Sequence, residues 1–485
     1  EREVLAVAIY SPNSDSCYPC GACRQVLYEF QGDNEEISIF CLMQPMSGVN
    51  TNTLTATLFF KDSNAGVPLK ITTEKKLEAG KYYTLQAETI TEQPDAINFT
   101  VAVNAYDDFS NNNPIAKALR NLGGTKLKFI SGSSVVSENV VLTDAEGVSA
   151  YAVRSGDWLE IHTIAKEYRL SGRCSGLFDG TRFLDISKLT EIELSQINTS
   201  EVTDMQAMFM GCTSLTSLDL SSFNTSNVTM MIKMFNGCSS LTSVDLSSFN
   251  ASNVMYMRKM FSECSSLTSL DLSSFKTQNV QDMSYMFENC YKLESINLKD
   301  VNTSKVYDMK YMFAGCSSLK SLDLSSFDTS GVSSMEGMFY YCGALTSIDL
   351  SNFNTNSVGI MKSMFQGCGG LKSVDLSSFQ TQGVGDMSYM FAHCYNLESL
   401  DLSNFKTDSA EDMSAMFTSC TKLSSLDLSN CTFENIWTRN PIECQGIFNS
   451  VYCVIYVTSK GKSYLESIID KIGMYNKDKL VVKTN

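Results

Sequence analysis

Histidine is nearly absent from this chain of 485 residues, which holds only His162 and His393. Two isolated imidazoles leave little room for histidine-based acid–base catalysis or a histidine-rich metal site. Positive charge is also scarce: 37 lysines and arginines stand against 53 aspartates and glutamates, a net charge of −16. Neutralising nucleic-acid phosphates calls for a basic face, so a nucleic-acid scaffold is excluded. No apolar run approaches the roughly 18 to 20 residues of a transmembrane helix. With 43% hydrophobic and 19% charged residues, the balance is that of a soluble, folded chain. No phosphate loop and no Ser-His-Asp signature stand out. The length exceeds one ordinary core, which predicts roughly two to four domains or one long repeat array.

Cysteine and methionine are abundant instead, at 17 and 24 residues. Their positions explain the excess. Cys212, Cys238, Cys264 and their successors to Cys420 recur every 26 residues, as do Leu215 to Leu423 and Met205 to Met413. A Met-Phe pair closes each unit, from Met208-Phe209 to Met416-Phe417, so 9 cysteines and 18 methionines belong to one repeat. The unit reads L-x-x-L-x-L-x-x-F-x-T-x-x-V-x-x-M-x-x-M-F-x-x-C-x-x. Its first half alternates, as in Leu218-Asp219-Leu220, which predicts a short strand with leucines inward. Its second half places Val228, Met231, Met234 and Phe235 at the spacing of one helical face. Asn224-Thr225-Ser226-Asn227 before it supplies N-cap chemistry. One strand and one helix cannot bury a core alone, so the units must stack as an α/β solenoid, parallel sheet on one side and short helices on the other. Ten leucine rows at about 4.8 Å per coil span roughly 43 Å.

Two columns of the repeat carry chemistry. Stacking sets successive ladder thiols about 5 Å apart, near disulfide range. Their number is odd and identical rungs offer no natural pairing. Buried reduced thiols acting as small hydrophobes are the first reading, with disulfides or a metal as the alternative. The second column is acidic: Asp219, Asp245, Asp271, Asp323, Asp349, Asp375, Asp401 and Asp427 share one strand position, with Asn297 in the missing slot. Neighbouring carboxylates about 5 Å apart repel by roughly 1 kcal/mol in water. Either each one accepts local hydrogen bonds that fix a turn, or together they form an acidic face for a basic partner or cations.

The NTSNV and MFxGCSSL phrases of units such as residues 241–266 resemble the BspA-type leucine-rich repeats of bacterial surface proteins. The resemblance covers residues 174–435. Residues 126–194, with Ala150-Tyr151-Ala152-Val153 and Gly156-Asp157-Trp158-Leu159, resemble the family's lead-in, and residues 436–485 its closing cap. The resemblance implies a leucine-rich-repeat solenoid at the cell surface or secreted. It also implies adhesion to a protein or glycan of a host or neighbouring cell.

The amino terminus differs. Tyr18-Pro19-Cys20-Gly21-Ala22-Cys23-Arg24-Gln25 resembles the P-C-G-x-C-R-Q motif of cytidine deaminases, with a strand before it at 4–9 and a helix after it at 25–30. That resemblance implies zinc on Cys20 and Cys23. The family's upstream third ligand and acid/base glutamate are missing, and Glu1 and Glu3 lie too close to the motif to serve. Residues 1–36 therefore read as an inactive deaminase-like remnant, a thiolate zinc site using Cys17, Cys20, Cys23 and Cys41, or a deaminase completed by another chain. Residues 37–93 alternate in runs at 54–60, 69–73 and 82–87, predicting antiparallel strands. The phrase Leu77 to Leu85 resembles the closing strands of fimbrillin-like surface domains. Residues 94–173 read as linker and lead-in, with 94–112 an exposed loop. The expected whole is a non-catalytic surface-binding protein, the alternative being a zinc-dependent cytidine deaminase fused to a repeat array.

Overall fold

The computed structural model describes residues 113–135, 137, 139–143, 148–433, 436, 444–474 and 477–483, with the backbone of seven strands between 4 and 99. The chain divides into two compact units. One comprises Glu1–Thr100, Asp108–Ser171 and Ile192–Glu201; the other comprises Val101–Asp107, Gly172–Glu191 and Val202–Asn485.

In the first unit the early strands are β1 (Val4–Tyr10), β2 (Val26–Glu29), β3 (Ser38–Cys41), β4 (Thr53–Phe60), β5 (Gly66–Thr72), β6 (Ala87–Thr89) and β7 (Ala96–Phe99). The antiparallel pair expected over 54–73 is present, with Leu54 opposite Ile71 and Leu58 opposite Val67. β1 pairs antiparallel with the other edge of β4, so the segments at 1–36 and 37–93 share the sheet β1-β4-β5-β6. Two expectations change. The helix expected over 25–30 is instead strand β2, paired antiparallel with β3; Val26-Leu27-Tyr28 is a short run of β-formers that favours a pleat. The loop expected over 94–112 contains β7, whose Ala96-Ile97-Asn98-Phe99 alternation suits a strand. Cys17, Cys20 and Cys23 lie outside the described residues, as does the side chain of Cys41.

Helix α1 (Pro114–Leu122) begins at Asn113, whose side chain accepts from the N–H groups of Ile115 and Ala116 at 3.0 Å. Strands β8 (Lys126–Ile130), β9 (Val140–Thr143), β10 (Ser149–Ser155), β11 (Trp158–Thr163) and β12 (Glu167–Arg173) follow. The hairpin β10–β11 turns on Gly156-Asp157, with Gly156 at φ +58°, where glycine costs least. A one-turn helix α2 (Leu184–Ser187) leads into β13 (Glu191–Glu193), giving the sheet β13-β8-β11-β10-β9. β14 (Ile197–Asp204) joins β12 and β7 in a second sheet.

The repeats stack as expected into a β-solenoid of about 12 turns. The alternating halves give short parallel segments in four of the coils: β15 (Ser269–Asp271), β16 (Ser295–Asn297), β17 (Leu400–Asp401) and β18 (Ser425–Leu428). β19 (Val454–Val457), helix α3 (Ser459–Ser467) and β20 (Leu480–Val482) close the array in the parallel order β17-β18-β19-β20.

The second half of each repeat is not a helix. Met231, Lys233, Phe235 and Gly237 donate their N–H groups to the carbonyls of Tyr256, Arg258, Met260 and Ser262 in the next coil, at 2.8–3.0 Å. The residues between them close tight turns, such as Asn236 N–H to Lys233 O at 3.1 Å. Lys233 and Gly237 adopt φ of +57° and +74°, and the same two positions are left-handed in coil after coil. A right-handed helix admits no such residues every four positions. A tight turn returns the same face to the core as a helical turn does, which is why the apolar spacing reads alike.

Identical side chains therefore stack on identical side chains. Eleven phenylalanines from Phe178 through Phe209 to Phe448 form a continuous column with centroids 5.3–6.0 Å apart. Burying each ring contributes about 1.5–3 kcal/mol, and each offset stack about 0.5–1.5 kcal/mol more. A buried threonine column adds polar rungs. Thr329 Oγ1 donates to Asn354 O at 2.9 Å and accepts from Asn354 N–H at 2.8 Å; Thr303 and Thr355 repeat the pattern. Thr329→Val keeps the shape but strands both backbone groups of Asn354. Chemical denaturation is expected to show a loss of about 1–3 kcal/mol; an unchanged unfolding midpoint would remove the rung from the account.

Candidate functional site

The acidic column stands on the outer side of the strand half, and its members from Asp219 to Asp401 are exposed. In every coil it does the same local work. The Oδ1 atoms of Asp219, Asp245, Asp271, Asp323, Asp349, Asp375, Asp401 and Asp427 accept the backbone N–H two residues on, at 2.9–3.0 Å. Asn297 does so too, from Lys299 N–H at 3.2 Å, which explains why an amide fits that slot. Strand register sets Asp271 beside Asn297 and Asp401 beside Asp427, so the charges lie on a line. At the end of the array Lys483 pairs with Asp427.

This turn makes the carboxyls more acidic than an ordinary aspartate. For Asp219, Asp245, Asp349 and Asp375 the serine N–H is the main cause; for Asp271 and Asp323 it is the serine hydroxyl. These six carboxyls are thus ionised throughout the neutral range.

The thiol ladder is buried and its cysteines are free. Each Sγ donates to a phenylalanine carbonyl of the preceding coil, as Cys238 does to Phe209 O at 3.1 Å and Cys342 to Phe313 O at 3.2 Å. Burial pushes the Cys290, Cys368 and Cys420 thiols up to about 12, which keeps them protonated and unreactive. Among the described residues no group of three or more His, Cys, Asp or Glu is placed to hold a metal.

Three features were not visible in the sequence pattern. First, His162 is not isolated: its Nδ1 meets Ser133 Oγ at 2.9 Å and its Nε2 meets Glu160 Oε2 at 2.9 Å, with Lys128 3.0 Å from Glu160. The imidazole is buried, and Ser133 Oγ accepts from Val135 N–H, so the cluster clamps the loop after β8 onto β11. Second, Tyr285 stacks on Tyr311 at 5.2 Å, with Arg258, Lys259 and Lys310 4.6–6.0 Å from its ring centre. Third, a shallow groove of about 270 Å³ crosses three coils, lined by Asn227, Thr229, Asn253, Met255, Asn279 and Gln281. Only unit-to-unit departures from the repeat at the positions flanking Val228, Val254 and Val280 could have signalled it.

The acidity of the aspartate column has a pH consequence. Each of Asp219, Asp245, Asp271, Asp323, Asp349 and Asp375 titrates lower folded than unfolded, so its stabilisation is complete above the unfolded value of about 3.9 and is lost as pH falls through the folded value. The thermal unfolding midpoint is expected to drop below about pH 4, and to drop less in Asp323→Asn/Asp349→Asn/Asp375→Asn. Circular dichroism melts across a pH series check this; identical acid profiles for the two proteins would contradict it.

Matches to the family model described as "Mycoplasma protein of unknown function, DUF285" cover residues 174–295, 264–373 and 342–449. Together they span residues 174–449, more than half of the chain, and coincide with the solenoid coils. The segments at 1–36 and 37–93 lie outside those matches. Among curated proteins none matches the chain. No described helix is long and apolar enough to cross a membrane. The 26-residue period, the stacked coils and these overlapping matches agree: the chain belongs to the DUF285 family of repeat proteins.

Proposed function

We propose that this protein is a non-catalytic binding protein of the cell surface, its solenoid presenting one long side to a protein or glycan of a host or neighbouring cell. The observation that carries the reading is the line of exposed, ionised carboxylates along the strand side of successive coils. Coil-to-coil hydrogen bonds hold that line rigid, so little order is lost when a partner engages it. A repeated negative charge attracts a basic partner surface and speeds its encounter.

The adhesive role and the surface location follow the resemblance of the repeats to BspA-type proteins. The reading as non-catalytic is supported by the scarcity of histidine and by the missing acid/base glutamate and third ligand of the Cys20–Cys23 motif.

The full chain carrying Asp323→Asn/Asp349→Asn/Asp375→Asn keeps the turn acceptor, as Asn297 does, and removes three charges. In a binding screen against immobilised matrix proteins and glycans it is expected to lose about tenfold or more in affinity for a basic partner, with a weaker salt dependence. A folded triple variant with full affinity for that partner would overturn the assignment of this face.

A further inference from the structure

The repeat sets the same side chains in the same frame more than once. Tyr285 and Tyr389 stand four coils apart at one slot of the turn ladder, both left-handed, at φ +59° and +58°. A bulky residue is strained there, whereas Gly337 fills the same slot freely. The frame around the two tyrosines is alike. Tyr285 N–H donates to Lys310 O and Tyr389 N–H to Ser414 O, both at 2.9 Å. Asp282 Oδ1 accepts from the N–H and hydroxyl of Ser284 at 2.8 and 2.6 Å. Asp386 Oδ1 accepts from those of Ser388 at 2.9 and 2.6 Å. Asp282 bridges to Asp308 in the next coil, as Asp386 does to Asp412.

The cations differ. Lys259, Arg258 and Lys310 lie 4.6, 5.6 and 6.0 Å from the ring centre of Tyr285. Lys310 Nζ also pairs with Asp308 Oδ2 at 3.1 Å, and Lys259 Nζ with Glu288 at 3.0 Å. Charge around this ring is therefore balanced within the chain. In the second copy Ser414 stands in the place of Lys310, Ser363 in that of Lys259 and Ala415 in that of Tyr311. Lys362 replaces Arg258, and Glu411 adds a carboxylate beside Asp412 where the first copy has Tyr307. Among the described residues no cation lies over Tyr389, and none pairs with Asp412, whose Oδ1 accepts from Ser414 N–H at 2.7 Å. Tyr389 is left 40% exposed. The acidic and aromatic halves of a cation site are kept, and the cation is gone.

We infer that Tyr389 and Asp412 form a socket for a lysine side chain of a partner protein, which takes the place that Lys310 takes beside Tyr285 and Asp308. The ammonium pairs with Asp412 Oδ2, and the apolar stem lies along the exposed ring. Asp386, Glu411 and Asp412 outnumber Lys362, so the site favours a positive ligand, as does the net charge of −16. The filled copy shows that this frame accepts an ammonium without rearrangement.

This inference rests on the reading of the array as a scaffold for a basic partner, but uses a different surface from the acidic column. The test titrates the full chain by calorimetry, at physiological salt, with trilysine amide and with its counterpart in which every side-chain ammonium is acetylated. Trilysine is expected to bind in the range of about 0.1–5 mM, and the acetylated peptide at least about tenfold more weakly. Ser414→Lys supplies the missing ammonium from the chain itself, and Tyr389→Ser copies Ser363, which has φ +55° in the same slot. Each is expected to weaken trilysine binding at least about threefold while unfolding stays cooperative. The Asp323→Asn/Asp349→Asn/Asp375→Asn variant is expected to bind trilysine within about twofold of the unaltered chain. Absence of trilysine binding, equal binding of the acetylated peptide, or undiminished binding by both socket variants overturns the inference. So does a loss in the aspartate triple variant as large as in the socket variants, and that result leaves the acidic-column reading standing.

Discussion

Coil-to-coil hydrogen bonding is the constraint on which the repeat array depends. An isolated 26-residue unit has too little apolar area to bury and too many unpaired backbone groups to stand alone. Alternate N–H groups from Met231 to Gly237 find carbonyls one coil on, and the bridge position runs unbroken from Asp204 through Met230 and Tyr256 to Asp412. That register superposes every residue on its counterpart. The phenylalanine column, the thiol ladder and the threonine rungs are consequences of it, and so is the aspartate line. The spacing of 26 residues never slips across the nine ladder cysteines, while at the two ends of the column the steps from Phe178 to Phe209 and from Phe417 to Phe448 are 31 residues long and the stacking continues.

Stacking like on like is neutral for some side chains and costly for others. Phenylalanine and methionine gain from it. Thiols accept it because each donates to a carbonyl of the coil before it and stays protonated. Aspartates repel along the line, and the cost is offset by giving each Oδ1 a backbone N–H in a turn that no alanine would hold. The face that results is acidic and rigid.

Much of this was legible in the residues. An exact period identified the array and its buried columns, because a core position in one unit is a core position in almost all of them; Val244 and Ile296 are half-buried where Leu218 is buried. The local role of Asp219 was legible too, since an aspartate two residues before a serine N–H is turn chemistry. The secondary structure of the Met-Phe half was not, because turns and a helix present Met231, Met234 and Phe235 to the core with one spacing. Only the left-handed φ of Lys233 and Gly237 tells them apart, and lysine carries no mark of it. Thr225 and its successors stood in the consensus, but their partners lie 25 residues away. The clamp of His162 by Ser133 and Glu160 joins residues with no shared pattern, and the groove arises where the pattern fails.

The most direct measurement is the change in unfolding free energy on replacing Lys233, which is exposed and has φ +57°, with glycine. In a ladder of turns the substitution relieves a left-handed residue whose strain is about 1–2 kcal/mol, less the entropy that glycine adds to the unfolded chain, so stability is expected to rise by up to about 1 kcal/mol. In a helix the same change costs about 1 kcal/mol. A rise supports the coil-to-coil ladder. A fall of that size contradicts it.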